Sequence, residues 1–432
     1  MKSTIRTAHK TVAIIIMLIF VCIIMCVTGC GKKGETSKAK DTDRVTEKEN
    51  VSGEEKEEAT STESDKGNNT LQTTEAKPEN PTKDITTQEI TTKSEAINSE
   101  ETTANKNIAA TGDYKPVTLA FTGDIYLSDI LYNKYMTSGL TGFLGQSLIE
   151  RFKNTDIMVC DHEYSATNLP DQYKADYQLF TFKAPTEREK LWKELQVDIV
   201  TLANNHTLDY GEQGLLDTFD ALKANGISYI GAGKNLDEAI KADIREISGK
   251  KVAVLAASRF VPNTGWYAGE NKIGLMTSYP GTDRFQMLKD EISRLKNEEG
   301  CDTVIVFVHF GTEKTNQIND NQPVIAHGYV DAGADAVIGC HAHTLQGIEI
   351  YNKAPIFYNL GNFLFESYSV DTAVANLTIN EDNSVSASVT PCKSKGYLTT
   401  EAEGEESLRI LKYIESISVN VNIDENGNIT EK

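Results

Sequence analysis

The sequence predicts an α/β domain from about residue 114 onward. Three observations carry that prediction. Short runs rich in β-branched residues recur at strand length, helical segments with one apolar face fall between them, and almost every run ends in a polar or glycine-containing turn.

The strand-like runs come first. Val117–Thr122 ends in Gly123-Asp124, and Ile157–Cys160 ends in Asp161-His162-Glu163. Val197–Ala203 ends in Asn204-Asn205-His206, and Lys251–Ala257 is a fourth run. Thr303–Val308 ends at His309, and Ala336–Gly339 leads to His341. Three helices are expected between and after them. Glu212–Asn225 places Leu215, Leu216, Phe219 and Leu222 on one face before Gly226 stops it. Phe285–Asn297 repeats Met287, Leu288, Ile292 and Leu295 at helical spacing, and Gln322–Ala332 ends at Gly333. Open α/β sheets bind ligands at the carboxyl ends of their strands. The polar clusters fall at those ends.

The first part of the chain has another character. Lys2, Arg6 and Lys10 precede an apolar run from Thr11 to Thr28, the pattern of an export signal or a membrane anchor. Val27-Thr28-Gly29-Cys30 resembles a bacterial lipobox, which implies diacylglyceryl modification of the Cys30 thiol and cleavage before it. Two acyl chains suffice for stable anchoring. The expected location is the extracytoplasmic face of the cell membrane; an uncleaved signal anchor would leave the body on the same side. From 31 to 112 the sequence is rich in Thr, Ser, Glu and Lys and poor in large apolar residues. Such a segment cannot bury enough surface to offset its ordering entropy, so it reads as a disordered tether. The expected organisation is therefore a lipoprotein signal peptide at 1–30, the tether at 31–112, one domain at 113–395 and a C-terminal extension at 396–432, read as an added hairpin.

Composition excludes some functions. With 63 acidic against 43 basic residues the formal charge is −20, which is wrong for a nucleic-acid surface. An anionic substrate would need a local cation, such as a metal, to be held here. Cys160, Cys301, Cys340 and Cys392 are scattered without Cys-x-x-Cys spacing, so no disulfide framework is expected.

The histidines point to chemistry. Five of the seven, His162, His206, His309, His341 and His343, follow strand-like runs, accompanied by Asp124, Glu163 and Asn205. Burying that many polar groups together is costly unless they share a cation or a hydrogen-bond network. Imidazole with carboxylate and amide oxygen suits Mn, Fe or Zn. A polar cleft without metal is the plainer alternative.

The order of motifs resembles a known family. Gly123-Asp124, Glu163, the run Asn204-Asn205-His206-Thr207-Leu208-Asp209-Tyr210-Gly211, His309-Phe310-Gly311 with Glu313, Gly339-Cys340-His341-Ala342-His343 and Asn359-Leu360-Gly361-Asn362-Phe363 together resemble the CapA-type poly-γ-glutamate capsule biosynthesis proteins. These belong to the calcineurin-like metallophosphoesterase superfamily. The resemblance implies a four-layer sandwich of two mixed β-sheets flanked by helices. It also implies two divalent ions, with Asp124 and His343 on one, Glu163 bridging, and Asn205, His309 and His341 on the other. His206 would protonate a leaving group, Asp209 would orient it or a ligand, and Glu313 would face the same cleft. Tyr126 stands where the superfamily has a ligating histidine, and Asp161 or His162 is the candidate replacement unless strand alternation turns one away. The implied activity leans towards metal-dependent hydrolysis at phosphate or a polymer amide. The implied biology is synthesis, export or attachment of an anionic capsule polymer, with that polymer and membrane-bound synthesis proteins as partners and no nucleic acid. The alternatives are a hydrolase unrelated to capsule and a non-catalytic metal-binding scaffold.

Overall fold

The computed structural model describes residues 115–432, apart from Tyr177 and residues 366–367. The leader, Cys30 and the tether lie outside the described residues.

Two mixed sheets are packed face to face. In the eight-stranded sheet the order is Leu398–Glu401, Val385–Lys395, Val370–Ile379, Val117–Ile125, Ile157–His162, Ile199–Thr201 and Ser228–Ile230, with Asn362–Leu364 paired beside the end of Val117–Ile125. The six-stranded sheet runs Ile348–Tyr351, Ala354–Phe357, Ala336–His341, Thr303–Phe310, Lys250–Ser258 and Asp243–Ile247. Its middle pairs are parallel and both edge pairs antiparallel.

Alternation along each strand divides its side chains between two layers. On the first strand Val117, Leu119 and Phe121 face the core between the sheets, while Ala120 faces the opposite side. Phe121 meets Phe307 of the other sheet with ring centroids 6.1 Å apart. The helices Gln146–Lys153 and Gly211–Ala224 cover the outer face of the larger sheet through Leu148, Phe152, Leu215, Phe219 and Leu222. The helices Asp283–Asn297 and Asn321–Asp331 cover the smaller sheet through Leu288, Ile292, Leu295, Ile325 and Tyr329. Each such aliphatic side chain stabilises the packing by roughly 1.5–3 kcal/mol when fully buried. The result is the four-layer sandwich that the resemblance implied.

Most of the strands at the site run further than their apolar residues. The first continues through Gly123 and Asp124 to Ile125, the second to His162, and the runs from Thr303 and Ala336 to Phe310 and His341. The polar residues remain in the ladder because each has a paired neighbour: Asp124 lies opposite both Asp161 and Asn362, and His309 opposite Cys340. The exception is Val197–Ala203, where only Ile199–Thr201 is strand. Gly123 is needed for a close approach. A Cβ there would overlap the Gly361 carbonyl oxygen, which accepts from the Asp124 N–H at 3.2 Å.

Residues after 395 continue the same packed body. Leu398–Glu401 pairs with Val385–Lys395, so a boundary at 395 would cut between paired strands. The helix Gly404–Ser416 sends Ile410, Leu411 and Ile414 into the core between the sheets. The hairpin of Val421–Ile423 and Ile429–Glu431 adds Val421 and Ile429 to it. Four free cysteines, all buried, are present among the described residues.

Candidate metal centre

The carboxyl ends of the parallel strands in both sheets meet at one place. Ile157 and Val159 face the core between the sheets, so alternation sends Asp161 the same way. Met158 and Cys160 face the helices, and His162 goes with them. The two candidates for the replacement ligand thus part company. Asp161 joins the cluster, its Oδ2 lying 3.4 Å from His309 Nδ1. His162 is turned away into a closed network, where Glu189 accepts from its Nε2 at 2.9 Å, from Tyr164 at 2.6 Å and from Trp192 at 3.0 Å.

Ile305 and Phe307 likewise face the inter-sheet core, and His309 extends their row. Its Nε2 lies 2.6 Å from Asn205 Oδ1 and 3.7 Å from Glu163 Oε1. His341 would face the helices if its strand stayed regular. Instead its backbone turns to a φ of 99° and His343 to 55°, both in the left-handed region. Non-glycine residues pay strain there, and such strain gathers at functional sites. The turn brings the His341 ring to 4.5 Å from His309. It also places His343 Nδ1 3.2 Å from Asp124 Oδ2 and 2.7 Å from Asn362 Oδ1. The second Asp124 oxygen accepts from the His341 N–H at 3.0 Å.

Three ligand sets emerge, each with its ligand atoms within 4.8 Å of one another: Asp124, Glu163 and His343; Glu163, His309 and His341; and Asp124, Asp161, His309 and Cys340. Two observations test whether this pocket fits a cation. Neither Glu163 oxygen has a hydrogen-bond donor although both are buried, and His341 Nδ1 is equally unpartnered. Buried orphan acceptors of that kind are costly unless a cation or proton completes them. The donor set is the imidazole and carboxylate mixture of transition-metal sites. The residues therefore fit a divalent metal.

The electrostatics agree. Burial, then the nearby Asp124 and Asp161 charges, push Glu163 well above the usual carboxylate range. Asp161 is raised in the same way, by burial and then by Asp124. Burial opposes the Asp124 charge, but the His343 hydrogen bond and charge outweigh it and hold that carboxyl low. Burial also opposes the His343 charge, yet the Asp124 hydrogen bond and charge raise it to about 9. His309 falls to about 3 and His341 well below its ordinary value, both through burial first. Two neutral imidazoles thus stand ready as donors.

His206 sits apart from the ligand sets, on the wall of an open cleft of about 790 Å³ that also exposes Asn205, His343 and Tyr126. Its Nδ1 lies 2.7 Å from Asp209 Oδ2. Asp209 is held in turn by the Phe182 N–H at 2.6 Å and by the Gln178 amide. Glu313 is exposed at the rim of this cleft beside Lys314. Tyr126 is wall rather than ligand: its hydroxyl donates to the Lys183 carbonyl and its ring packs on Phe182 and Phe365.

Sequence reasoning missed several participants. Phe182 and Phe365 pack at a tilt against His206 and His343, and Phe260 stacks on His341, with centroids 4.2, 5.0 and 4.8 Å apart. Nothing in their local sequence marks them. Asn362, which orients His343, stood inside the Leu360-Gly361-Asn362-Phe363 motif and was legible there as a polar residue at a strand start.

Fold and site together define a four-layer α/β sandwich with a histidine–carboxylate centre where its two sheets' strand ends converge. The match to the family model described as bacterial capsule synthesis protein PGA_cap spans residues 118–367, and the chain belongs to that family. It is 29% identical over 286 residues to a capsule biosynthesis protein CapA of Bacillus anthracis, covering 64% of this chain and 67% of that one. A PGA biosynthesis protein CapA of Bacillus subtilis is also 29% identical, over 62% of this chain and 70% of its own. Among solved structures, the NAD nucleotidase of Haemophilus influenzae aligns with a TM-score of 0.41 and 13% identity, over 71% of this chain and 64% of its own.

Proposed function

We propose that this protein acts in building or attaching an anionic capsule polymer, through a metal-dependent hydrolytic or transfer step in the cleft. The observation that carries the catalytic part is the His206–Asp209 pair, which lies on the cleft wall beside the ligand sets.

Asp124, Glu163 and His343 would hold one divalent ion, and Glu163, His309 and His341 with Asn205 a second. Ions held there supply positive charge that polarises a phosphoryl or amide group and offsets charge developing on it. The remaining work falls to the chain's own residues. Asp209 accepts from His206 Nδ1, which fixes the ring's orientation; with both ring nitrogens protonated, Nε2 carries the proton that passes to a departing group and is left bare afterwards. Phe182 holds that ring from one side. Attachment through a lipidated Cys30 would keep this chemistry at the extracytoplasmic face of the membrane. Loss of radiolabelled palmitate from a Cys30→Ser chain, with the native chain labelled, is the expected result.

The test of the enzyme reading separates proton transfer from metal holding. His206→Ala should keep its metal and lose turnover of phosphoester and polyglutamyl substrates by about 10²–10⁴-fold. Asp124→Ala and His341→Ala should lose metal as well. A His206→Ala strain that forms capsule normally would establish the scaffold reading instead, in which the bound cations serve as counter-charge for the polymer.

A further inference from the structure

Behind the cleft, the rear edge of the His309 ring faces three groups that the proposed catalytic sets leave aside or use only once. His309 Nδ1 lies 3.1 Å from Cys340 Sγ and 3.4 Å from Asp161 Oδ2. Asp124 completes the group, and all four residues are buried. Their ligand atoms fall within 4.8 Å of one another.

The spacing fits a closed tetrahedral site. With metal–ligand bonds of about 2.0–2.3 Å, ligands around tetrahedral zinc stand roughly 3.3–3.6 Å apart. The Asp161–His309 separation of 3.4 Å is within that range, and Cys340 is a few tenths short of it. The supporting shell is also in place. Asn204 donates to Asp161 Oδ1 at 3.0 Å, which leaves Oδ2 as the buried oxygen without a hydrogen-bond donor. Thr207 and the His206 N–H in turn fix the Asn204 amide at 2.8 and 3.0 Å. Ligating carboxylates are commonly oriented in this way by a second layer of hydrogen bonds. Cys340 is held in register opposite His309 by the parallel ladder between their strands.

We propose that Asp124, Asp161, His309 Nδ1 and Cys340 form an inner cation position, closed to the cleft and suited to a thiophilic divalent ion such as zinc. It rests on the metal-centre reading in sharing Asp124 and His309 with the cleft sets. Binding there displaces the Cys340 thiol proton to solvent and leaves a thiolate, which favours zinc over harder ions such as manganese. Because neutral His309 binds through one nitrogen, filling the inner position through Nδ1 leaves Glu163, His341 and His343 to hold a single cleft ion in place of two. The position is structural in kind: four protein ligands leave no open place for substrate.

The test uses the full chain, stripped of metal and titrated with Co²⁺ under anaerobic conditions. The native chain should develop a near-ultraviolet sulfur-to-cobalt charge-transfer band. Cys340→Ser and Cys340→Ala should lack the band, and His343→Ala should keep it. X-ray absorption of the zinc-loaded native chain should show one sulfur scatterer at about 2.3 Å, a measurement that needs no variant to fold. Cobalt uptake with ligand-field bands but no charge transfer, or zinc with only nitrogen and oxygen neighbours, would overturn the inner position and leave the cleft centre standing. No uptake at all would overturn both.

Discussion

Glu163 and Glu189 are two fully buried glutamates on either side of one strand end, and their surroundings are opposite. Glu189 is completed by the protein: Tyr164, Trp192 and His162 all reach its oxygens. Glu163 has two oxygens with no donor and two aspartates for neighbours. Burial alone therefore says little about role. A satisfied buried carboxylate is a structural joint, and an unsatisfied one among imidazoles has the surroundings that suit a cation ligand. The same contrast separates His162 from His309, although sequence position had made them look alike.

Four experiments would break or sharpen that contrast. The largest effect is expected from Glu189→Ala, which strands three buried polar groups at about 1–3 kcal/mol each. Chemical denaturation should show a loss of roughly 3–9 kcal/mol with or without metal. Next comes metal removal. Chelation should lower native stability by about 4 kcal/mol if the ion had stood at a thousandfold excess over its Kd. Glu163→Gln should remove the cleft ions' share of that difference in calorimetry, leaving only what the inner position contributes, with the metal-free protein close to native. If Glu163→Gln and Glu189→Ala behaved alike, the distinction would fail.

A smaller effect concerns pH. His343 keeps its proton up to about 9 and must lose it to ligate. Affinity at the Asp124–Glu163–His343 position should therefore rise with pH, by up to about tenfold per unit, and level off above that value. The raised Glu163 acts in the same direction, since its proton must also leave. Titration calorimetry in buffers of different ionisation enthalpy would count the released protons, and a falling affinity towards pH 9 would contradict the assignment. The smallest change is expected from Tyr126→Phe. It removes one hydrogen bond to Lys183, worth about 1 kcal/mol, and should leave metal content unchanged. Lost metal in that variant would make Tyr126 a ligand after all.

Much of this was legible in the sequence because strand alternation and strand-end placement are local rules. The positions of Asp124, Glu163, His309 and His341 followed from runs such as Thr303–Val308 ending at a polar residue. The choice between Asp161 and His162 was open to the same rule once Ile157 and Val159 were known to face inward. What stayed hidden depends on distant parts of the chain. The turn that redirects His341 rests on a backbone angle no composition announces. The role of Cys340 needs the register between two strands, and the phenylalanine caps come from loops far from the histidines they cover.

The place of the first strand has a consequence for timing. Val117–Ile125 lies in the middle of its sheet, with Ile157–His162 on one side and Val370–Ile379 on the other. As the chain is made, one edge of that strand can be covered early, but the other waits for some 250 further residues, a long-range closure of the kind that slows folding. Until then the nascent domain presents an unpaired strand edge and an inter-sheet core that still lacks Ala373, Ala375, Leu377 and Ile379. The interval before Ile379 arrives is thus its period of greatest exposure to aggregation and proteases, and the stretch where a chaperone would matter most.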